Sequence, residues 1–154
     1  MVPGTGISLQ NRGRAFTLEA GHPNQVGGGK RPFHTIIPAF VTRNGQPVMS
    51  FGVMGGDMQC QGHAQMMQRV FDRGMNPQAA SDAPRWRITE EGNIRLEAGY
   101  GDAVRAELEN RGHTLEPLTD DTQFGMGGAQ LILKTEHGYL GGSDHRKDGM
   151  ALGY

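Results

Sequence analysis

"IIPAFVTRNGQPVMSFGVMGGDMQCQGHAQ", residues 36 to 65, sets out a strand, a turn, a second strand, a glycine pair and the start of a helix. The two β-rich runs meet at Asn44-Gly45. A type I′ turn needs positive φ at both central residues, which Asn and Gly tolerate, so the pattern predicts a hairpin. Pro38 and Pro47 fall near the ends of the runs, where a missing N–H matters least. From Met58 to about Arg73, Cys60, Ala64, Met67, Val70 and Phe71 recur at helical spacing, with Gln59, Gln65, Gln68, Arg69 and Asp72 mostly elsewhere, and Gly74 follows as a C-cap. Cys60 on that stripe is expected to be a buried small hydrophobe, not a reactive thiol, and Met66 and Met67 to pack in the core.

Gly55 and Gly56 stand between strand and helix. Two glycines there let the backbone approach another group closely and leave N–H groups at the positive end of the helix dipole. That outlines an anion site, and the same donors could stabilise the oxyanion of a tetrahedral intermediate in acyl transfer. Taken alone, a Gly-Gly before a helix more commonly marks a steep turn or a close packing contact.

Working outward, "NPQAASDAP" (76 to 84) suggests a short helix that ends before Pro84. "WRITEEGNIRLEA" (86 to 98) reads as a second hairpin around Glu91-Gly92, with Trp86, Ile88, Ile94 and Leu96 inward. Asp102 can cap a helix to Arg111 that carries a Glu107 to Arg111 pair, and "AQLILKTEHGYLGG" (129 to 142) predicts a third hairpin. Residues 1 to 35 hold little periodicity, and 19 to 32 form a loop by composition. The sum is an α+β layered domain with a mainly antiparallel sheet.

Composition narrows the function. Fifteen basic and sixteen acidic residues among 154 give a net charge of -1, with no basic stripe, so nucleic acid is not an expected partner. No apolar stretch approaches the roughly 18 residues of a membrane span. Glycine, at 25 residues, is about twice as frequent as the ~7% norm and is spread through turns. A single cysteine excludes an internal disulfide framework. His22, His113 and His137 fall in turns or loops, and His63 in the helix is expected at the edge of the core or solvated. No histidine pair has metal-ligand spacing, so neither a metal nor another cofactor is expected.

Four stretches read together add a family. "VPGTGISLQNR" (2 to 12), "GKRPFHTIIP" (29 to 38), "FGVMGGDMQCQGHAQ" (51 to 65) and "GGSDHRKDGMALGY" (141 to 154) resemble, in order and spacing, the C-terminal part of the small subunit of gamma-glutamyltransferases, or gamma-glutamyltranspeptidases, and of related acylases. The resemblance runs nearly the whole chain. It implies part of an N-terminal-nucleophile hydrolase, a four-layer α-β-β-α sandwich made as a precursor that cleaves itself into a large and a small subunit. The new N-terminal threonine attacks the substrate amide with its own α-amino group as base. By the same resemblance, Gly55 and Gly56 supply the oxyanion hole, and Asn11, Arg12, His34 and Thr35 fall at substrate-binding positions.

The resemblance places the nucleophilic threonine a few tens of residues before the "GTGI" stretch, and Thr5 is a turn residue without a free α-amino group. Residues 1 to 154 are therefore expected to be one C-terminal segment of such a small subunit, inactive without its nucleophile strand and large subunit. An exposed sheet edge and apolar surface should then favour self-association, as in a homodimer that covers them. Glutathione-active members carry a glutamine after the matching asparagine and an acid three residues on, where this chain has Arg12 and Ala15. The usual serine pair is replaced by His34 and Thr35. Arg12 offers a planar donor fork for a carboxylate, which points to a plain dicarboxylic acyl group as well as to gamma-glutamyl amides. In the tail, Asp144, Arg146 and Asp148 are expected to form an ion-pair and turn network. The alternative is a standalone scaffolding or binding domain that has lost the chemistry. Where the parent protein resides is not set by these residues.

Overall fold

Asn44 and Gly45 have φ of 51° and 76°, as the turn between β1 (Ala39–Arg43) and β2 (Gln46–Met54) requires. The two strands pair antiparallel with a register shift between Val41 and Thr42. Pro47 stands opposite Thr42 at that irregularity, where the ladder already lacks a regular bond. In this computed structural model, which describes residues 1–119 and 124–153, the chain divides into two units, 1–35 and 36–154.

In the larger unit β2 also pairs with β6 (Gly128–Lys134), and β6 with β7 (Tyr139–Ser143), giving an antiparallel sheet ordered β1-β2-β6-β7. Alternate residues point to opposite faces. Met49, Phe51 and Val53 of β2 and Ala129 and Leu131 of β6 thus share one buried face. Against it pack α1 (Met58–Met67), the π-helical turn that continues it (Gln68–Asp72) and α2 (Pro77–Asp82), through Met66, Val70 and Ala80. On the opposite face Phe40, Ser50 and Ile132 lie side by side across three strands, and all are exposed.

The α1 stripe differs from the expected one. Met58, Gly62, Gln65, Met66, Arg69 and Val70 are buried, whereas Cys60 and Ala64 are exposed. The reason is the close approach at Gly62, where an added Cβ would lie 2.5 Å from Val53 Cγ1. The smallest residue of the helix sets the line of contact, and Cys60 rotates out to solvent. Gly74, with φ of 66°, ends this run as expected. Asn76 caps α2 by accepting the Ala79 N–H at 2.8 Å.

A second sheet holds β3 (Trp86–Ile88), β4 (Ile94–Leu96) and β5 (Leu115–Glu116). β3 and β4 form the expected hairpin, and β5 adds parallel to β4. Ile94 and Leu96 are buried, but Ile88 is 45% exposed. β3 is an edge strand, and α1 supplies what it lacks. Gln65 accepts from Trp86 N–H and donates to Trp86 O, while Gln61, one turn earlier, does the same at Ile88. Two carboxamides at i and i+4 thus replace a neighbouring strand for residues i and i+2 of β3. In α3 (Asp102–Asn110) Gly101 occupies the N-cap and Asp102 the first turn, so the carboxylate meets the helix dipole without capping it. The Glu107 to Arg111 pair forms at 2.7 Å.

The smaller unit, 1–35, contains a 3-10 turn (Arg12–Ala15) and an isolated bridge between Thr17 and Gln25.

Candidate active site

Gly55 and Gly56 link β2 to α1 with φ of 138° and 58°. At Gly55 a Cβ would lie 3.0 Å from Gly127 Cα and 3.2 Å from Met58 Cβ, so a side chain there would crowd both at a φ that favours glycine. Gly127 is equally confined, since a Cβ there would sit 2.5 Å from Met54 O. The ends of β2 and α1 and the start of β6 therefore meet backbone to backbone. Gly56 faces open space instead, with nothing within 4 Å of the position a Cβ would take. Its carbonyl accepts from Gln59 N–H at 3.0 Å, and Gly55 O accepts from Met58 N–H at 3.1 Å. Among the described residues the N–H groups of Gly55 and Gly56 donate to no backbone acceptor. Two donors at the head of a helix, one beside open space, can take an anionic oxygen.

In the 1–35 unit, the Arg12 guanidinium donates from Nη1 to Thr35 Oγ1, and the Arg12 N–H donates to Gln10 Oε1 at 2.5 Å. Asn11 precedes the 3-10 turn, its carbonyl accepting from Arg14 N–H at 3.0 Å. Asn11, Arg12 and His34 are exposed. Arg12 and Thr35 are thus brought together across 23 residues of chain.

A buried arginine cluster supports the other end of the fold. The last turn of α2 and the residues just after it present the Ala80, Ser81, Ala83 and Pro84 carbonyls, and three guanidinium groups converge on them. Arg69 donates to Ala80 O, Ala83 O and Pro84 O. Arg85 donates to Ser81 O, and Arg146 to Ser81 O and Ala83 O. Two carboxylates offset part of this charge. Asp144 pairs with Arg85, both fully buried, and with Arg146 at 3.2 Å. Glu97 pairs with Arg146 at 2.5 Å and accepts the Arg85 N–H at 2.8 Å. Burial by itself raises the Asp144 pKa, but the Ala129 and Arg146 N–H groups and the Arg85 guanidinium outweigh it and bring the value to about 2. Arg85 shifts down, because its burial outweighs the Asp144 attraction. Of the expected tail network, Asp144 and Arg146 are members, while Asp148 is an exposed residue with φ of 48°. Sequence reading missed Arg85 and Glu97, whose distance along the chain from residue 144 gave no signal of the pairing. Among the described residues no group of three potential metal ligands occurs, and no helix is long and apolar enough to cross a membrane.

The antiparallel sheet with helices packed on one face is the α+β arrangement of the N-terminal-nucleophile hydrolases. The gamma-glutamyltranspeptidase family profile matches residues 1–154, and the chain belongs to that family. It is 39% identical to the glutathione hydrolase-like YwrD proenzyme of Bacillus subtilis (strain 168), over 97% of this chain and 29% of that protein. It is 38% identical to the oxamate amidohydrolase proenzyme of Klebsiella pneumoniae, over 100% of this chain and 30% of that protein. Among solved structures, a cephalosporin acylase from Bacillus halodurans superposes with a TM-score of 0.83 at 44% identity, over 100% of this chain and 29% of the other. The chain thus spans about a third or less of these relatives.

Proposed function

We propose that residues 1–154 are the C-terminal segment of the small subunit of an N-terminal-nucleophile amidohydrolase or acyltransferase. In this reading the Gly55 and Gly56 N–H groups form the oxyanion hole, and Asn11, Arg12, His34 and Thr35 form part of the acyl pocket. The observation that carries it is the turn itself: two donors without backbone acceptors, at a helix start, beside space left open at Gly56. The threonine nucleophile and a large subunit of the same precursor complete the enzyme, in keeping with relatives that are proenzymes of greater length.

The substrate in this reading is a gamma-glutamyl or related dicarboxylic acyl amide. Arg12, held by Thr35, presents a planar fork to a carboxylate. The oxamate amidohydrolase relative bears, in its name, an amide that carries such a carboxylate. The exposed Phe40 and Ile132 lie on the sheet face that the second layer of the sandwich would cover, and a dimer through that face is expected when the layer is absent.

The test is turnover of gamma-glutamyl and glutaryl p-nitroanilides by the purified chain, alone and fused behind the preceding part of the Bacillus subtilis proenzyme. No turnover is expected alone, and autoprocessing with turnover in the fusion. Hydrolysis by the chain alone would refute its dependence on the missing parts. A correctly processed but inert fusion would favour the standalone binding domain.

A further inference from the structure

β1 begins at Ala39, opposite Phe51, so on that side β2 runs on to Met54 without a partner strand. The Val53 N–H falls in this unpaired stretch, and His63 of α1 takes it, Nε2 accepting at 3.1 Å. The imidazole packs on Phe51, ring centroids 5.0 Å apart, and the neighbouring Gly62 brings the helix backbone against Val53. An Nε2 that accepts is unprotonated, so the ring is neutral with its proton on Nδ1.

We propose that His63 is a positioning residue for the Gly55-Gly56 turn: its neutral imidazole straps the end of β2 to α1 across the turn, and protonation releases the strap. Val53 lies two residues before Gly55 and His63 seven after Gly56, so the bond closes a loop around both glycines. An imidazolium has no acceptor lone pair to offer, and it would have to leave the strand edge.

Nothing charged on the adjoining elements offsets that loss. β2 contains no titratable side chain, α1 adds only the exposed Cys60, and Asp57 in the turn, Arg43 of β1 and Lys134 of β6 are all exposed. In the π turn, the Arg69 guanidinium is engaged with Gln65 and the α2 carbonyls, and Asp72 is exposed. Arg87 of β3 donates to Gly125 O. Burial holds the His63 pKa below its ordinary 6.5. The functional part of this proposal rests on reading the turn as an oxyanion donor; the strap itself does not.

The experiment follows the imidazole nitrogens and the Val53, Gly55 and Gly56 amides of the 15N-labelled chain by NMR, from about pH 8 to about pH 4.5. The expected result is a neutral Nδ1–H ring at the upper end and one midpoint below 6.5 shared by the ring, the Gly55 and Gly56 shifts and the loss of Val53 exchange protection. His63→Gln keeps an acceptor at the reach of Nε2 but does not titrate, so its glycine amides should stay flat with Val53 protected. Glycine amides that ignore the His63 midpoint in the parent chain would overturn the proposal whether or not the variant folds. Amides that titrate unchanged in His63→Gln would do so as well. In the active fusion, an acid limb of kcat/KM at the His63 midpoint that vanishes in His63→Gln extends the strap to catalysis. Turnover indifferent to changes at Gly56 would remove the oxyanion reading while leaving the amide coupling intact.

Discussion

Asp144 is fully buried with three kinds of donor around it, and removing its charge strands Arg85 in the interior. Asp144→Asn is expected to cost about 3 to 5 kcal/mol, read by urea denaturation. The folded pKa of about 2 lies below the ordinary 3.8, so the unfolded chain binds the proton more tightly. The carboxylate's contribution is therefore complete above the unfolded value and is lost as pH falls through about 2. The urea midpoint should decline across that window, and Asp144→Asn should lack this part of the decline. A variant whose acid profile parallels the parent's would contradict the assignment.

The two site glycines should separate in the same assay. Gly55→Ala meets Gly127 and Met58 at an already restricted φ, and a loss of about 2 to 3 kcal/mol is expected. Gly56→Ala has room for its methyl and should cost only about 1 kcal/mol in the left-handed region. That methyl would project into the space where a substrate oxygen is proposed to sit. In the fusion, kcat/KM should accordingly fall about 100-fold with the fold retained. Undiminished turnover would place the reaction elsewhere.

Among the elements, all three hairpins were readable, because turn chemistry and alternation are local. Asn44-Gly45 states the positive φ angles in its own composition. The face of α1 was not readable. Counting apolar residues favoured Cys60 and Ala64, yet helix orientation follows the tight contact of Gly62 with Val53 and the buried polar work of Gln65 and Arg69. A glutamine that pairs with a strand edge looks, in sequence, like a solvated one. Gln65→Leu leaves the Trp86 N–H and carbonyl without their partner and is expected to lower stability by about 2 kcal/mol. Gln61→Leu, whose bonds are more exposed, should cost less than 1 kcal/mol, roughly, since water can substitute. Hydrogen exchange at the Trp86 and Ile88 amides reports each effect separately.

For the whole molecule, the open sheet face is the consequential feature. Phe40 and Ile132 flank Ser50 in register and are 64% and 53% exposed. If this face takes the second layer proposed above, the chain by itself should associate through it, and Phe40→Thr with Ile132→Thr should sediment as a smaller species at equal concentration. Unchanged sedimentation would direct attention to another surface.

By itself, the sequence determined the α+β class, the strand–Gly-Gly–helix order and the family, because each is written in neighbouring residues or in motifs at fixed spacing. Only the tertiary structure decided which α1 face is buried, which arginines receive Asp144 and Glu97, and that His63 reaches back to Val53. Those contacts join residues far apart in the chain, and their partners are chosen by packing geometry, which local composition does not encode.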